Sequence, residues 1–292
     1  MSDPNSPNNT PPVEDADKVT SSLFEPPSVE AVNQELPDYE LSTLFSFDRT
    51  GALYRGRQPK LDRDICLKLL PPLAGPDQEA YAEAFLHEAK TMASLNHPHI
   101  VKVHNFGQTQ SGLFFFVMEY VEGSILRREV NAGRVQLEHI FAWVPPVCEA
   151  LQHAHLQGVV HCDIRPKNIL FTNEGEVTVA NFGLARVQGQ RPEFTSSTVA
   201  GVTVSTMDYV APETSEPGVM FDVRADIYSL GVMIYEMITY QLPGSGYQPV
   251  SEAFGVDARF DTIIDGALRP NRESRFQTVM DISGWLSAIH GL

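Results

Sequence analysis

Cysteine is scarce in this sequence, and acidic residues greatly outnumber basic ones. The 292 residues include 3 cysteines, and the 21 Lys and Arg against 37 Asp and Glu give a formal net charge of -16. Cysteines this few and scattered exclude a disulfide framework and a zinc site, and they favour a reducing, cytoplasmic location. The acidic balance argues against nucleic acid as a partner, because phosphate backbones bind basic surfaces.

Long apolar runs are absent as well. The most apolar stretch, residues 228–238, contains a glutamate and is too short to span a bilayer, so no membrane association is expected. The polar, acidic first residues are unlike a signal peptide. Hydrophobic residues still make up 42% of the chain, which is enough for a sizeable core.

Three regions with different patterns follow one another along the chain. Residues 1–37 are rich in Pro, Asn, Ser and Asp and predict a mostly disordered acidic tail, with one short amphipathic segment that Ser28 caps. Residues 38–121 carry strand patterns around one helix, and residues 122–292 are mostly helical. Strands followed by helices predict an α+β fold with a small sheet lobe and a larger helical lobe.

Apolar periodicity locates the individual elements. Pro145-Pro146 falls inside one helical segment and is expected to kink or break it. The predicted helices are 78–95, 137–156, 225–239, 260–268 and 277–289, and the predicted strands are 39–41, 52–54, 65–68, 100–103 and 113–120.

Several short motifs occur in the order and with the spacing typical of one family. They are Ile-Cys-Leu-Lys at 65–68, His-Cys-Asp-Ile-Arg-Pro-Lys-Asn at 161–168, Asn-Phe-Gly at 181–183 and Ala-Pro-Glu at 211–213. On these residues, the region from about 39 to 292 resembles the bacterial eukaryotic-like (Hanks-type) Ser/Thr protein kinases. The resemblance implies a bilobal protein-kinase fold, with an antiparallel-sheet N-lobe carrying one helix and a mostly helical C-lobe.

The resemblance assigns catalytic roles to four residues. Lys68 would hold the α- and β-phosphates of ATP, and Glu88 on the following helix would pair with Lys68. Asp163 would accept or orient the proton of a substrate hydroxyl. Arg165 stands where the family usually has a lysine near the γ-phosphate.

A weak site for ATP and for Mg²⁺ or Mn²⁺ also follows from the resemblance. Asn168 and Asn181 occupy the positions of the metal ligands. The hinge begins after Met118, and its backbone would meet the adenine edge. The nucleotide contacts expected by resemblance are Lys68, Gly51, Leu53, Cys66, Glu119, Val121 and Leu170.

Structural parts of the family are implied too. Glu213 would pair with the distant Arg275, and Asp226 would begin the central helix of the large lobe and anchor the base of a hydrophobic spine. A hydrophobic spine coupling the lobes would consist of Val103, Met92, Phe182 and His161.

The main departure from the family lies at Asn181, where the other members have aspartate. Mg²⁺ is a hard cation that prefers carboxylate oxygens, and an amide supplies an oxygen without the charge. Metal stabilisation of a transferring phosphoryl group is worth several kcal/mol. Losing about 3–4 kcal/mol of it would slow transfer by roughly 10²–10³.

The phosphate loop and the activation switch differ as well. Of the three glycine positions counted back from Leu53, only Gly51 remains, and Ser46 and Asp48 occupy the others. Asp48 places a carboxylate beside an anionic ligand, which should repel it. Cys162 replaces the arginine that reads an activation-loop phosphate.

These departures favour a pseudokinase that serves as a binding or regulatory module for a protein partner. The alternative is a slow or metal-atypical Ser/Thr kinase that transfers the ATP γ-phosphate to a protein hydroxyl, because Asp163, Lys68 and Glu88 are intact. A small-molecule phosphotransferase is a third hypothesis, against which the Ala-Pro-Glu motif argues. The sequence predicts neither a particular partner nor an oligomeric state.

Overall fold

The structure is a computed structural model. It describes residues 24–48, 51–72, 78–182, 186–187, 208–215, 219–220, 222–244 and 246–291.

An antiparallel sheet of five strands forms the centre of the small lobe. The strands are β1 (Glu40–Asp48), β2 (Gly51–Gln58), β3 (Arg63–Leu69), β4 (Val103–Gln108) and β5 (Phe114–Glu119). Their order across the sheet is β1-β2-β3-β5-β4, and the helix Gln78–Ser94 connects β3 to β4.

The outer face of the sheet is covered by residues that the sequence analysis placed in the tail. The helix Val29–Glu35 begins after Ser28, whose Oγ accepts the Ala31 N–H, as the sequence predicted. Pro27 accepts a 2.7 Å hydrogen bond from the hydroxyl of the fully buried Tyr54. The packed small lobe therefore includes Phe24 and the helix Val29–Glu35, which the sequence analysis had assigned to the tail. The outer cluster contains Phe24, Val32, Leu36, Tyr39, Leu41, Ala52, Tyr54, Ile65, Leu67, Leu69, Phe115 and Val117.

The inner face packs against the helix Gln78–Ser94. Phe85 lies with its ring centroid 4.3 Å from that of Phe114 and 5.1 Å from that of Phe116. Ala89 and Met92 follow on the same buried face, as the helical period predicted. This layer belongs to the same hydrophobic core as the large lobe.

The large lobe is mostly helical, in agreement with the predicted fold class. The helix Arg224–Thr239 is buried along almost its whole length, and the other helices surround it. The described helices of the large lobe are Leu126–Asn131, Leu137–Leu156, Arg224–Thr239, Val250–Phe254, Arg259–Ala267 and Val279–His290. Its described strands are β6 (Gly123–Ile125), β7 (Val159–Val160), β8 (Ile169–Thr172), β9 (Val177–Val179) and β10 (Arg186–Val187).

Two local predictions need correction. The helix Leu137–Leu156 continues through Pro145 and Pro146, so the expected break does not occur there. The strand expected at 100–103 begins instead at Val103, because Ile100 forms a parallel bridge to Val179 of β9.

No helix among the described residues is both long enough and apolar enough to cross a membrane.

Candidate active site

The roof of the cleft between the lobes follows from the alternation of side chains in β3. Ile65, Leu67 and Leu69 belong to the outer cluster, so Cys66 and Lys68 point to the inner face. Register places Leu53 of β2 opposite Lys68. The predicted contacts Leu53, Cys66 and Lys68 therefore share the face that looks onto the large lobe.

Cys66 is a neutral thiol in this roof. Burial raises the pKa of Cys66 to about 12, although the nearby Lys68 opposes the shift. Its register partner is Met118 at the end of β5. The N–H of Glu119 donates to the Lys102 carbonyl at 2.9 Å, so the hinge starts from a fixed backbone.

The catalytic loop is held by the buried Asp226. The backbone N–H groups of His161 and Cys162 each donate to its carboxylate at 2.8 Å, and His155 adds a third contact at 2.8 Å. Burial opposes ionisation of Asp226, but these donors outweigh it, and its pKa is lowered. Cys162 has a φ of 64°, a left-handed conformation that this anchoring maintains.

His161 links the catalytic loop to Phe182. Burial lowers the pKa of His161, so the ring is neutral. Its Nε2–H then donates to the Ala180 carbonyl at 3.0 Å, and its Nδ1 accepts the Asp163 N–H at 3.2 Å. Its ring meets Phe182 edge-on at 4.5 Å. Met92 and Val103 belong to the same hydrophobic core as Phe182, and the continuous spine through them stays a prediction.

Asp163 lies at the centre of a polar network. Its Oδ2 accepts one N–H from the Asn168 amide at 2.8 Å and one from the Asn181 amide at 3.1 Å. Asn168 also donates to the Asp163 backbone carbonyl at 2.6 Å. Nε of Arg165 lies 2.9 Å from Asp163 Oδ1 and pairs with it electrostatically.

The network crosses the cleft through Asn181. Its Oδ1 accepts a 2.5 Å hydrogen bond from Nζ of Lys68, which is 3% exposed. Burial lowers the pKa of Lys68 to about 8, although Asp48 and Asp163 oppose the shift. Asn181 has a φ of 70°, and asparagine tolerates this left-handed conformation better than most residues.

These donors do not suit Mg²⁺. The Asn181 oxygen is already used by Lys68, and the amide nitrogens of Asn168 and Asn181 point to Asp163. A hard cation needs oxygens, several of them charged. Within the described part of the chain, no group of three or more His, Cys, Asp or Glu could hold a metal ion.

The one remaining glycine of the phosphate loop has a packing role. Asp48 of β1 pairs directly with Gly51 of β2. Gly51 has a φ of 135°, and a Cβ there would lie 2.4 Å from the Leu69 carbonyl oxygen. A glycine is therefore required at this position by the close approach of β3.

Sequence reasoning missed Lys167, which the structure places in the site. Its Nζ donates to Asp48 Oδ2 at 2.7 Å and so joins the small lobe to the catalytic loop. The only sequence signal was its position one residue before Asn168.

Other predicted residues lie as follows. Leu170 is half-buried in β8, opposite Ile125, and Val121 is half-buried after the hinge. Glu88 lies on the helix Gln78–Ser94, but its side chain is outside the described part of the chain, so its pairing with Lys68 stays a prediction.

The predicted support of the activation segment is confirmed. Arg275 is buried and donates to both carboxylate oxygens of Glu213, at 2.8 and 3.0 Å. Such bidentate pairs are geometrically specific. This contact fixes the end of the segment against the large lobe.

The fold and this site define a protein kinase domain. The family model for the protein kinase domain matches residues 49–279, and the chain belongs to this family.

Its relatives include bacterial Ser/Thr kinases. The chain is 32% identical over 271 residues to the Ser/Thr protein kinase PknB of Mycobacterium leprae, covering 86% of this chain and 43% of that protein. It is 38% identical over 207 residues to the probable Ser/Thr protein kinase pknA2 of Bifidobacterium longum, covering 70% of this chain and 27% of that protein. The chain thus spans less than half the length of these relatives.

A solved structure shares the fold. The PknI kinase domain of Mycobacterium tuberculosis superposes with a TM-score of 0.66 at 24% identity, covering 87% of this chain and 96% of that one. At this identity the likeness concerns the fold alone.

Proposed function

We propose that this chain is a pseudokinase, a protein-kinase domain that binds a protein partner and transfers phosphate poorly or not at all. The observation that carries the proposal is the position of the Asn181 amide, which accepts from Lys68 and donates to Asp163. An aspartate there could accept from Lys68 but would repel the Asp163 carboxylate unless a cation lay between them. The amide satisfies both neighbours without a metal.

The engagement of Asp163 supports the same proposal. A general base must reach the proton that it removes. Here Oδ2 of Asp163 accepts from two amides, while Oδ1 lies against Arg165. Asp163 is therefore held as a structural carboxylate that organises the catalytic loop.

Loss of metal stabilisation sets the expected rate. Removing about 3–4 kcal/mol of transition-state stabilisation lowers kcat by roughly 10²–10³. Kinases of this kind turn over at roughly 1–100 per second. The alternative, a slow Ser/Thr kinase, has support from the placement of Lys68, Asp163 and Asn168 in one cleft.

A phosphotransfer assay tests the proposal. The wild-type chain and Asp163→Asn are incubated with ATP and either Mg²⁺ or Mn²⁺, and transfer is measured both to the chain itself and to general Ser/Thr protein acceptors. We expect no difference between the two proteins at the rates of active kinases. Transfer at ordinary rates that Asp163→Asn abolishes would show an active enzyme.

A further inference from the structure

An ion pair bridges the two lobes at the phosphate end of the cleft. Asp48 is the last residue of β1 in the small lobe, and Lys167 lies in the catalytic loop of the large lobe. Their charged atoms are 2.7 Å apart, although 119 positions separate them in the sequence.

The pair lies next to the residue that the family uses to hold phosphates. Both charges act on Lys68, since Asp48 raises and Lys167 lowers its pKa. The geometry agrees, because Asp48 pairs in register with Gly51, whose Cβ position lies 2.4 Å from the carbonyl oxygen of Leu69, the residue after Lys68. The Asp48 carboxylate therefore occupies a position among cations that suits a phosphate group.

The charges of the described side chains leave room for an anion. Lys68, Arg165 and Lys167 are cationic, Asp48 and Asp163 are anionic, and Asn181 is neutral. Without Asp48, three cations would face one carboxylate.

The ion pair is weak enough to exchange. The side chains of Lys167 and Asp48 are 38% and 41% exposed, so solvent screens their attraction. A polyphosphate carries several charges and accepts charge-assisted hydrogen bonds from lysine. It should therefore compete well with a single carboxylate.

We propose that Lys167 is a phosphate-binding residue of a metal-independent nucleotide site, and that Asp48 occupies this site until a nucleoside polyphosphate displaces it. The inference rests on the proposed function, since it takes Asn181 as the substitute for the metal. Beyond that function, the inference names a nucleoside polyphosphate as the ligand, Lys167 as a residue that binds it and Asp48 as the group that competes with it. Nucleotide binding would break the ion pair between Asp48 and Lys167. The nucleotide-bound and nucleotide-free chains therefore differ in this contact between the lobes.

Calorimetric titration of the full chain in EDTA tests the proposal, with ATP, ADP, AMP and adenosine as probes. Asp48→Asn should bind ATP about 2–5-fold more tightly than wild type, the scale of one exposed charge pair. The gain should shrink as phosphates are removed and vanish for adenosine. Adding Lys167→Gln to Asp48→Asn should abolish the gain.

The matched control is Asp38→Asn. Asp38 forms an exposed ion pair with Lys60 at 2.5 Å, so this variant removes the same charge from a lysine pair outside the cleft. It should bind ATP as wild type does. An equal gain in both variants, an equal gain for adenosine, or no ATP binding by any variant would overturn the proposal.

The two proposals fail separately. Binding in EDTA requires no chemistry, so brisk transfer with Mg²⁺ would refute the proposed function and leave the Lys167 dependence intact. Conversely, a chain that transfers no phosphate and whose ATP affinity is unchanged by Lys167→Gln would refute only the phosphate-binding role of Lys167.

Discussion

At the scale of single residues, the proposed function depends on the amide of Asn181. Asn181 offers one acceptor and one donor, and the structure uses the acceptor for Lys68 and the donor for Asp163. Aspartate has the same shape but no donor when ionised. Under the proposed function, this one-atom difference is what lets a hydrogen-bonded bridge stand in place of a metal site.

Burial of Lys68 predicts a pH dependence of stability. Its pKa falls from 10.5 to about 8 in the folded chain, so the unfolded chain binds the proton more tightly. The free energy of unfolding should therefore rise by up to about 3 kcal/mol between pH 8 and 10.5. Below pH 8 the folded chain carries the whole destabilisation that comes from burying a protonated Lys68. Chemical denaturation across this range should show the rise in wild type and a flatter profile in Lys68→Met.

The control for this prediction is Lys90→Met, at an exposed position on the helix Gln78–Ser94. Its profile should follow that of wild type. Parallel profiles for wild type and Lys68→Met would show that burial of Lys68 has no such cost.

At the scale of elements, the helix Val29–Glu35 completes the small lobe. Its Val32 is 3% exposed and packs with the outer face of the sheet. Asn33 fixes the start of β1 by pairing with both backbone groups of Leu41, at 2.8 and 3.0 Å. A sheet face that would otherwise be apolar and exposed is thereby covered.

Val32→Ala tests whether this helix stabilises the domain. Removing two buried carbon atoms should lower the free energy of unfolding by about 1–2 kcal/mol. Urea denaturation gives the value, and Gln34→Ala, at an exposed position of the same helix, should leave stability nearly unchanged. Equal stability of the two variants would mean that the helix is only loosely attached.

The elements also show what sequence patterns can predict. The helices at 137–156 and 225–239 were located to within one residue, because their apolar period is long and regular. The extent of the tail was not, because the segment after Phe24 carries too few apolar residues to signal a packed element. The Asp48–Lys167 pair could not be predicted either, since it joins residues that only the closed arrangement of lobes brings together.

At the scale of the whole molecule, the lobes are joined by the Asp48–Lys167 ion pair and, among the other contacts of the described residues, by two more connections. One is backbone pairing, in which Val101 N–H donates to the Val179 carbonyl at 2.9 Å and Val179 N–H donates to His99 at 2.8 Å. The other is the polar bridge from Lys68 through Asn181 to Asp163. These contacts hold the lobes together through the chain's own backbone and side chains, which agrees with the proposed function.

The central claim is that the Asn181 amide replaces the metal, and metal-dependent unfolding tests it most directly. Wild type, Asn181→Asp and Asn181→Ala are unfolded in the presence of ATP, with EDTA and with Mg²⁺. Wild type should be equally stable in both. Asn181→Asp should be about 1–3 kcal/mol less stable than wild type in EDTA, because the new carboxylate then faces that of Asp163. Mg²⁺ should restore the stability of this variant.

Asn181→Ala should lose stability in EDTA without recovery in Mg²⁺, because it supplies no ligand. The contradicting result would be a wild-type chain that Mg²⁺ stabilises in the presence of ATP, together with an Asn181→Asp variant that is as stable as wild type in EDTA.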